Sequence, residues 1–456
     1  MKLPLPTLSI HSFFFALFIS ASFSVMGQEQ PDSSSNSAEF TLSQAQAFAL
    51  INHHSAVNSD LDVKIAIKKI WETTAMGLPQ ISAGGSYRNS LDLEFSFPDE
   101  ALTVPGNEFM AIFGADNVSQ GKLDVSQLLF SGSYIVALQA SRTFKDLTEN
   151  QKERNNIEVA TEVARSYHLV LVAQENVAIL EKNLTTLKKS IAETEALVKV
   201  GFLEETDLDQ LQLMSSKLTT SLGSAKVSKN IALKMLKLSM GMKMDKELTL
   251  KDNLETVIEE SNMAALTASE FNLSNNPDYK LLTTQRKIQH FVVKRNKMER
   301  LPSLAAFYQY TNTAYQLEFD FYKDANWLDA QNIGLSLSVP IWSSGMQGAK
   351  IKQSQFELMK LDNSIEHFES ALTLQHSRAV SELKLKIANK VNATKGVALA
   401  EKIHNRTAIK HKEGLASSFE LSQMKNQLLE AQGSYIKSIF ELLNAKVELD
   451  KLQYKF

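Results

Sequence analysis

The chain has 456 residues, 48 basic against 51 acidic side chains, a formal net charge of −3, and no cysteine. That balance gives nucleic-acid binding no support, and the missing thiols exclude disulfides, thiolate metal sites, thiol catalysis and a lipidated N-terminal cysteine. Only 17 glycines and 9 prolines occur, with no proline from Gly106 to Asn276 or from Ile341 to Phe456, so both of those stretches must be mostly helix.

The N-terminus reads as an address. Lys2 begins a short basic region, Phe13 to Phe23 is an apolar run, and Val25-Met26-Gly27 fits a small-residue cleavage site, which makes residues 1–27 a signal peptide. Residues 28–40, rich in Ser, Asn and Gln, read as a flexible leader. No later run approaches ~18 apolar residues, so any membrane span of the exported chain must be β.

A first repeat is expected over residues 41–240. The capping box Thr41-Leu-Ser-Gln44 opens a helix to about Met76, stopped by Gly77 and Pro79. From 80 to 97 the pattern alternates, Ile81, Ala83, Tyr87, Leu91 and Leu93 against Ser82, Ser86, Arg88, Asp92 and Glu94, which predicts a two-faced strand. A loop with Pro105-Gly106 leads to a weaker strand over 120–130. A long helix over 131–200 follows, with a 3–4 seam including Val163, Val170, Val177, Leu184, Leu187 and Ile191, and then, past Gly201, a returning helix over 206–240. Residues 241–275 form a less regular equatorial segment.

The second repeat, 276–456, follows the same plan. Asn276-Pro277 opens a helix, Leu301-Pro302 ends it, and strands are predicted over 303–314 and 332–342. A long helix over 343–412 is broken by Gly414 before a last helix over 418–454. Each half therefore reads helix, strand, loop, strand, long helix, turn, helix, an internal duplication. Each long helix has 70 residues, ~105 Å at 1.5 Å per residue. Strands of ~9–11 residues span a bilayer when tilted. Four strands cannot close a barrel, and an open edge in lipid leaves backbone groups unpaired, so membrane-embedded strands require several chains. Two copies give eight strands and three give twelve; arithmetic alone does not choose.

The opening helix with Asn52, Asn275-Asn276-Pro277-Asp278, the Leu-Pro strand starts at Leu78 and Leu301, and the junctions Leu128-Leu-Phe-Ser-Gly-Ser133 and Pro340-Ile-Trp-Ser-Ser-Gly345, twice in the same order, resemble TolC-like outer-membrane efflux proteins. Each junction keeps one glycine of the family's pair, and the first lacks the proline. The resemblance implies a mainly α fold with a small β part: a duplicated long-helix repeat forming a periplasmic α-barrel, with four strands per protomer contributing to a shared 12-stranded transmembrane β-barrel in a homotrimer. It implies docking onto a periplasmic adaptor protein and an inner-membrane transporter, with outer-membrane lipid around the barrel.

No catalytic constellation, cofactor site or metal site is expected: there is no Gly-rich phosphate loop, Gly-x-Ser-x-Gly elbow or His-Glu-x-x-His. His53 and His54 are adjacent and point apart on a helix, and His404 and His411 read as solvated surface. Phe319, Phe321, Tyr322 and Trp327 fall in the second hairpin loop, as interface anchors or loop packing. In the resembled family the closed end lies at the helix turns, where acidic residues face the pore; the matching positions are Asp207 and Glu420, with Gln423 where a second acid is common. Three copies of Glu420 about an axis would form an anionic ring favouring cations, and carboxylates in a first helical turn also suit the helix dipole. Gly201, Phe202 and Leu203, with Gly414 and Leu415, are the adaptor-docking candidates. The resulting expectation is a passive, gated conduit; a structural periplasmic coiled-coil protein without a pore and an exported enzyme are the competing classes.

Overall fold

The computed structural model describes residues 37–91, 116–260, 271–316 and 327–454. The predicted signal peptide, most of the leader, the loop after Pro98, the strand residues 92–97 and the aromatics Phe319, Phe321 and Tyr322 lie outside the described residues.

The first half comprises β1 (Ser37–Phe40), α1 (Leu42–Asn52), α2 (His54–Ala75), β2 (Gln80–Asn89), β3 (Asn117–Phe130), α3 (Gly132–Lys199) and α4 (Glu205–Met240). A middle segment carries β4 (Glu247–Leu250) and α5 (Leu254–Glu260). The second half comprises α6 (Pro277–Met298), β5 (Ser303–Gln316), β6 (Trp327–Ser338), α7 (Met346–Lys412) and α8 (Ser418–Gln453). Helices α3 and α7, with 68 and 67 residues, are each ~100 Å long. Helix α3 packs against α2 and α6 toward its start and against α4 toward its end, while α7 and α8 form the second hairpin.

Caps set the helix starts. Thr41 Oγ1 accepts from Gln44 N at 3.3 Å while Thr41 N donates to Gln44 Oε1 at 3.0 Å. Asn276 Oδ1 accepts from Tyr279 N at 2.9 Å, with Pro277 at the first helical position. Helix α7 starts at Met346 rather than residue 343, because Ser344 and Gly345 take left-handed backbone angles (φ 48° and 81°).

Several expectations are corrected. The opening helix over 41–76 is two helices: His53 is extended (φ −67°, ψ 131°), closing α1 and capping α2 through Nδ1, which accepts from Ser55 N. The turn after α4 packs into this break. Gly241 there has φ 71°, and a Cβ on it would meet the Asn52 carbonyl oxygen at 2.5 Å, so only glycine fits. β6 runs over 327–338, not 332–342, because Pro340 has no N–H for a ladder. β3 begins at Asn117 and β5 continues to Gln316, both longer than the alternation suggested. The leader is not flexible throughout, since Ser37–Phe40 pairs in parallel with Glu247–Leu250.

This pairing anchors a waist. Asp252 Oδ2 accepts from Leu42 N at 2.9 Å and from the Tyr167 hydroxyl at 2.8 Å. Around it Ala45, Ala49, Val163, Val170, Leu236, Met240, Leu248 and Leu443 form the main apolar cluster. His168 is buried beside it with neither ring nitrogen hydrogen-bonded, and burial, then the positive charge of Lys446, pushes its pKa down to about 4.

Asp252→Ala is expected to lower stability by about 1–3 kcal/mol for each donor left unpaired, read as a drop in melting temperature. His168 contributes a pH term of definite sign. Its folded pKa lies below the ordinary 6.5, so the unfolded chain takes up the proton first and stability falls as pH drops from about 6.5 to 4. Thermal melts across that range should show the slope, and His168→Leu should flatten it.

Candidate functional site

Two regions combine exposure with unusual chemistry: the helix turns at one end and the sheet at the other. Both turns close in the same way. Gly201 (φ 80°) donates to Val198 O and Phe202 N to Leu197 O; Gly414 (φ 74°) donates to His411 O and Leu415 N to Lys410 O. These are paired Schellman caps, whose left-handed residue is glycine because an L side chain is strained there. Nothing lies within 4 Å of where a Cβ on either glycine would sit, so the requirement is conformational and the space outside is open.

The turns present apolar side chains to solvent, with Phe202 80% and Leu415 73% exposed and Phe419 beside them. Leu203 is half-buried. Glu420 and Gln423 are exposed on the first turns of α8, with Glu420 N capped by Ser417 Oγ at 3.2 Å. Asp207 is engaged differently: Oδ1 accepts from Ser418 N at 3.2 Å and Oδ2 from Glu204 N at 3.4 Å. It therefore caps its own helix and also ties the first turn to the start of α8.

Ser418 and His411 are the residues that sequence reasoning missed. His411 is buried rather than solvated, and its Nε2 lies 2.8 Å from Ser418 Oγ, also buried. Burial lowers the His411 pKa, opposed by the negative charge of Asp207. His404, also read as surface, is half-buried, with its pKa lowered first by burial and then by Lys425. A second tie, Lys412 Nζ to Glu193 Oε2 at 3.1 Å, joins the hairpins from the other side. The seven-residue spacing of His411 and Ser418 across a glycine turn was the one available signal.

At the opposite end, β2, β3, β5 and β6 form one antiparallel sheet in that order, with β2 and β6 as edges. Register sorts the faces. Ser82, Asp124, Gln309 and Asn332 align across the four strands on one face, where Gln309 Nε2 donates to Asp124 Oδ1 at 2.9 Å and Lys122 Nζ lies 3.3 Å from Asp124 Oδ2. Ile81, Val125, Tyr308 and Ile333 align on the other. The apolar face is open: Ile333 is 86% and Leu335 67% exposed. Trp327 starts β6 at the far end of the sheet.

A two-faced sheet with no strand beyond β2 or β6 among the described residues, mounted on two ~100 Å helices that fold back at glycine tips, is the protomer fold of TolC-like proteins. The comparisons agree. CusC, whose crystal structures describe transmembrane channel formation, superposes with a TM-score of 0.71 at 15% identity, over 91% of this chain and 92% of that one. The open state of the Neisseria gonorrhoeae MtrE outer membrane channel gives 0.69 at 14% identity, over 90% and 88%. In sequence, the chain is 21% identical over 388 residues to the outer membrane efflux protein BepC of Brucella suis, covering 80% of this chain and 82% of that protein. No protein-family model matches the chain. The chain has the TolC-like fold, mainly helical with a small sheet part.

Asp207→Ala is expected to unpin the two turns. Limited trypsin digestion should then cut after Lys199 and Lys412 several-fold faster, while global stability changes by only about 1 kcal/mol, the worth of one exposed helix cap.

Proposed function

We propose that this chain is one third of an outer-membrane channel-tunnel: a passive conduit through the outer membrane and the periplasm, serving a tripartite export system. One observation carries the reading: a sheet whose apolar face is open to solvent and whose two edge strands, β2 and β6, have no strand beyond them among the described residues. In water such a surface invites association, and in lipid the edges have no donor or acceptor to meet. Three copies, joined β6 to β2, give twelve strands with every interior edge paired and the polar face of Asp124, Gln309 and Asn332 lining the lumen. The likeness to the outer membrane channels above supports the location and the class.

In this reading the helices form the periplasmic tunnel, and its closed end lies at the glycine tips. Glu420 and Gln423 border the aperture, with Glu420 supplying the anionic ring. Asp207 acts as a tie between hairpins rather than as a second free ring. Phe202, Leu203 and Leu415, held out by Gly201 and Gly414, form the apolar points on which a periplasmic adaptor would dock, linking the channel to an inner-membrane transporter. No catalytic step belongs to this function.

The full-length protein, extracted in detergent, is expected to run as a trimer and to form ion-conducting channels in planar bilayers. A detergent-free monomer without conductance would favour a periplasmic coiled-coil protein instead. Glu420→Ala should lower the cation-to-anion permeability ratio of the channel, and an unchanged ratio would remove Glu420 from the aperture.

A further inference from the structure

About two helical turns from the second tip, α3, α4, α7 and α8 meet around a cavity of ≈ 10 Å³, room for about one water. It is lined by Thr186, Ser190, Met214, His404, Ser422 and Lys425. Lys425 is only 4% exposed. Its Nζ donates to Asn183 Oδ1 at 2.7 Å, and Asn183 Nδ2 passes the chain on to Gln432 Oε1 at 2.7 Å. Ser422 Oγ is buried in the same place without a partner. Among the described residues no carboxylate lies within ion-pair distance of Lys425 Nζ.

The charges around it do not compensate. Burial weighs most; on α7, Glu401 attracts the ammonium from beyond ion-pair reach, on α3, Lys182 repels it more weakly, and His404 is held toward its neutral form. Helix α4 contributes Leu211 and Met214, with no charge. An ammonium with three donors and one neutral partner is poorly solvated there. The location matters as much. Each hairpin is sealed internally by apolar seams, Leu184, Leu187, Leu211 and Leu218 in the first and Leu383, Leu442 and Leu449 in the second. Between the hairpins near the tips Leu429 of α8 packs on the first seam, and polar ties run beside it, Lys425 among them.

We propose that Lys425 is a release element built into the gate: its ammonium, shut between the two hairpins, keeps the closed tip poised to part, because parting returns it to water. This rests on the reading of the tips as the gate of a conduit. The sign follows from linkage. Burial pulls the Lys425 pKa down to about 8 from 10.5, so below about pH 8 the closed tip carries the full desolvation penalty. As pH rises from about 8 to 10.5 the buried amine becomes neutral while a solvated one stays charged, and the closed tip gains stability.

The test is the open probability of the full-length protein in planar bilayers at pH 7.5 and pH 10. The wild type should open at least about tenfold less often at pH 10. Lys425→Met should open rarely at both values, and Lys425→Arg, charged throughout, should stay as active at pH 10 as at pH 7.5. If Lys425→Met opens as often as wild type at pH 7.5, or if Lys425→Arg keeps the wild-type pH response, the inference is overturned. Should Lys425→Met fail to assemble, the Lys425→Arg comparison decides alone. Absence of any wild-type channel overturns the conduit reading and this inference with it, whereas channels with unaltered variants overturn the inference only.

Discussion

Backbone hydrogen bonding where water is absent is the constraint on which this architecture depends. A strand ladder satisfies its interior N–H and C=O groups, but among the described residues no strand pairs with the outer side of β2 or β6. Their side chains deepen the problem, since Ile333, Leu335, Leu337 and Ile81 all stand exposed on one face. Among the described residues no element covers them, and the helices leave the sheet at its base. In the proposed assembly, completion by other copies would resolve edge and face together, and the polar ladder from Ser82 to Asn332 would then have an interior to line.

Below the sheet, mechanical character changes along the length. The waist is tied by buried groups that converge on Asp252 and by an apolar cluster reaching α1, α3, α4, α5 and α8. Toward the tips, the first hairpin keeps an apolar seam on which Leu429 of α8 packs, and polar contacts also cross between hairpins: Asp207 to Ser418, Lys412 to Glu193, Lys425 to Asn183. Polar ties of this kind exchange readily with water, whereas an apolar seam cannot part without exposing surface. The junction between hairpins is thus apolar at the waist and more polar toward the tips.

Much of this was legible from residue order. Alternation fixed which strand residues share a face, because side-chain direction has period two whatever the neighbours do. Glycine and proline marked both tips and most boundaries. What escaped depended on distant partners. The break at His53 exists because the Gly241 turn, nearly two hundred residues away, packs against Asn52. β1 looked like loose leader because its strand partner lies in an unpatterned segment. β6 was displaced because alternation continues past Ser338 into Val339 and Ile341, and only the missing N–H of Pro340 ends the ladder. At the tips, Glu420 and Asp207 occupy equivalent places six residues after a glycine, yet the Glu420 carboxylate has no partner among the described residues while Asp207 is held by two backbone donors. Lys425 carried no sequence signal, since a lysine in an amphipathic helix ordinarily reaches solvent.

The parallel pairing of β1 with β4 has a consequence for biogenesis. Leu42 and Asp252 are separated by 210 positions, so the start of α1 cannot find its seat until more than half of the molecule has been delivered. Closing so large a loop is entropically demanding and slow compared with zipping a neighbouring helical hairpin. Each hairpin can form as soon as its own turn emerges, while the starting segment waits. Maturation should therefore be gated by that late closure, which leaves an interval in which chaperones, rather than the native waist, must shield the beginning of the chain.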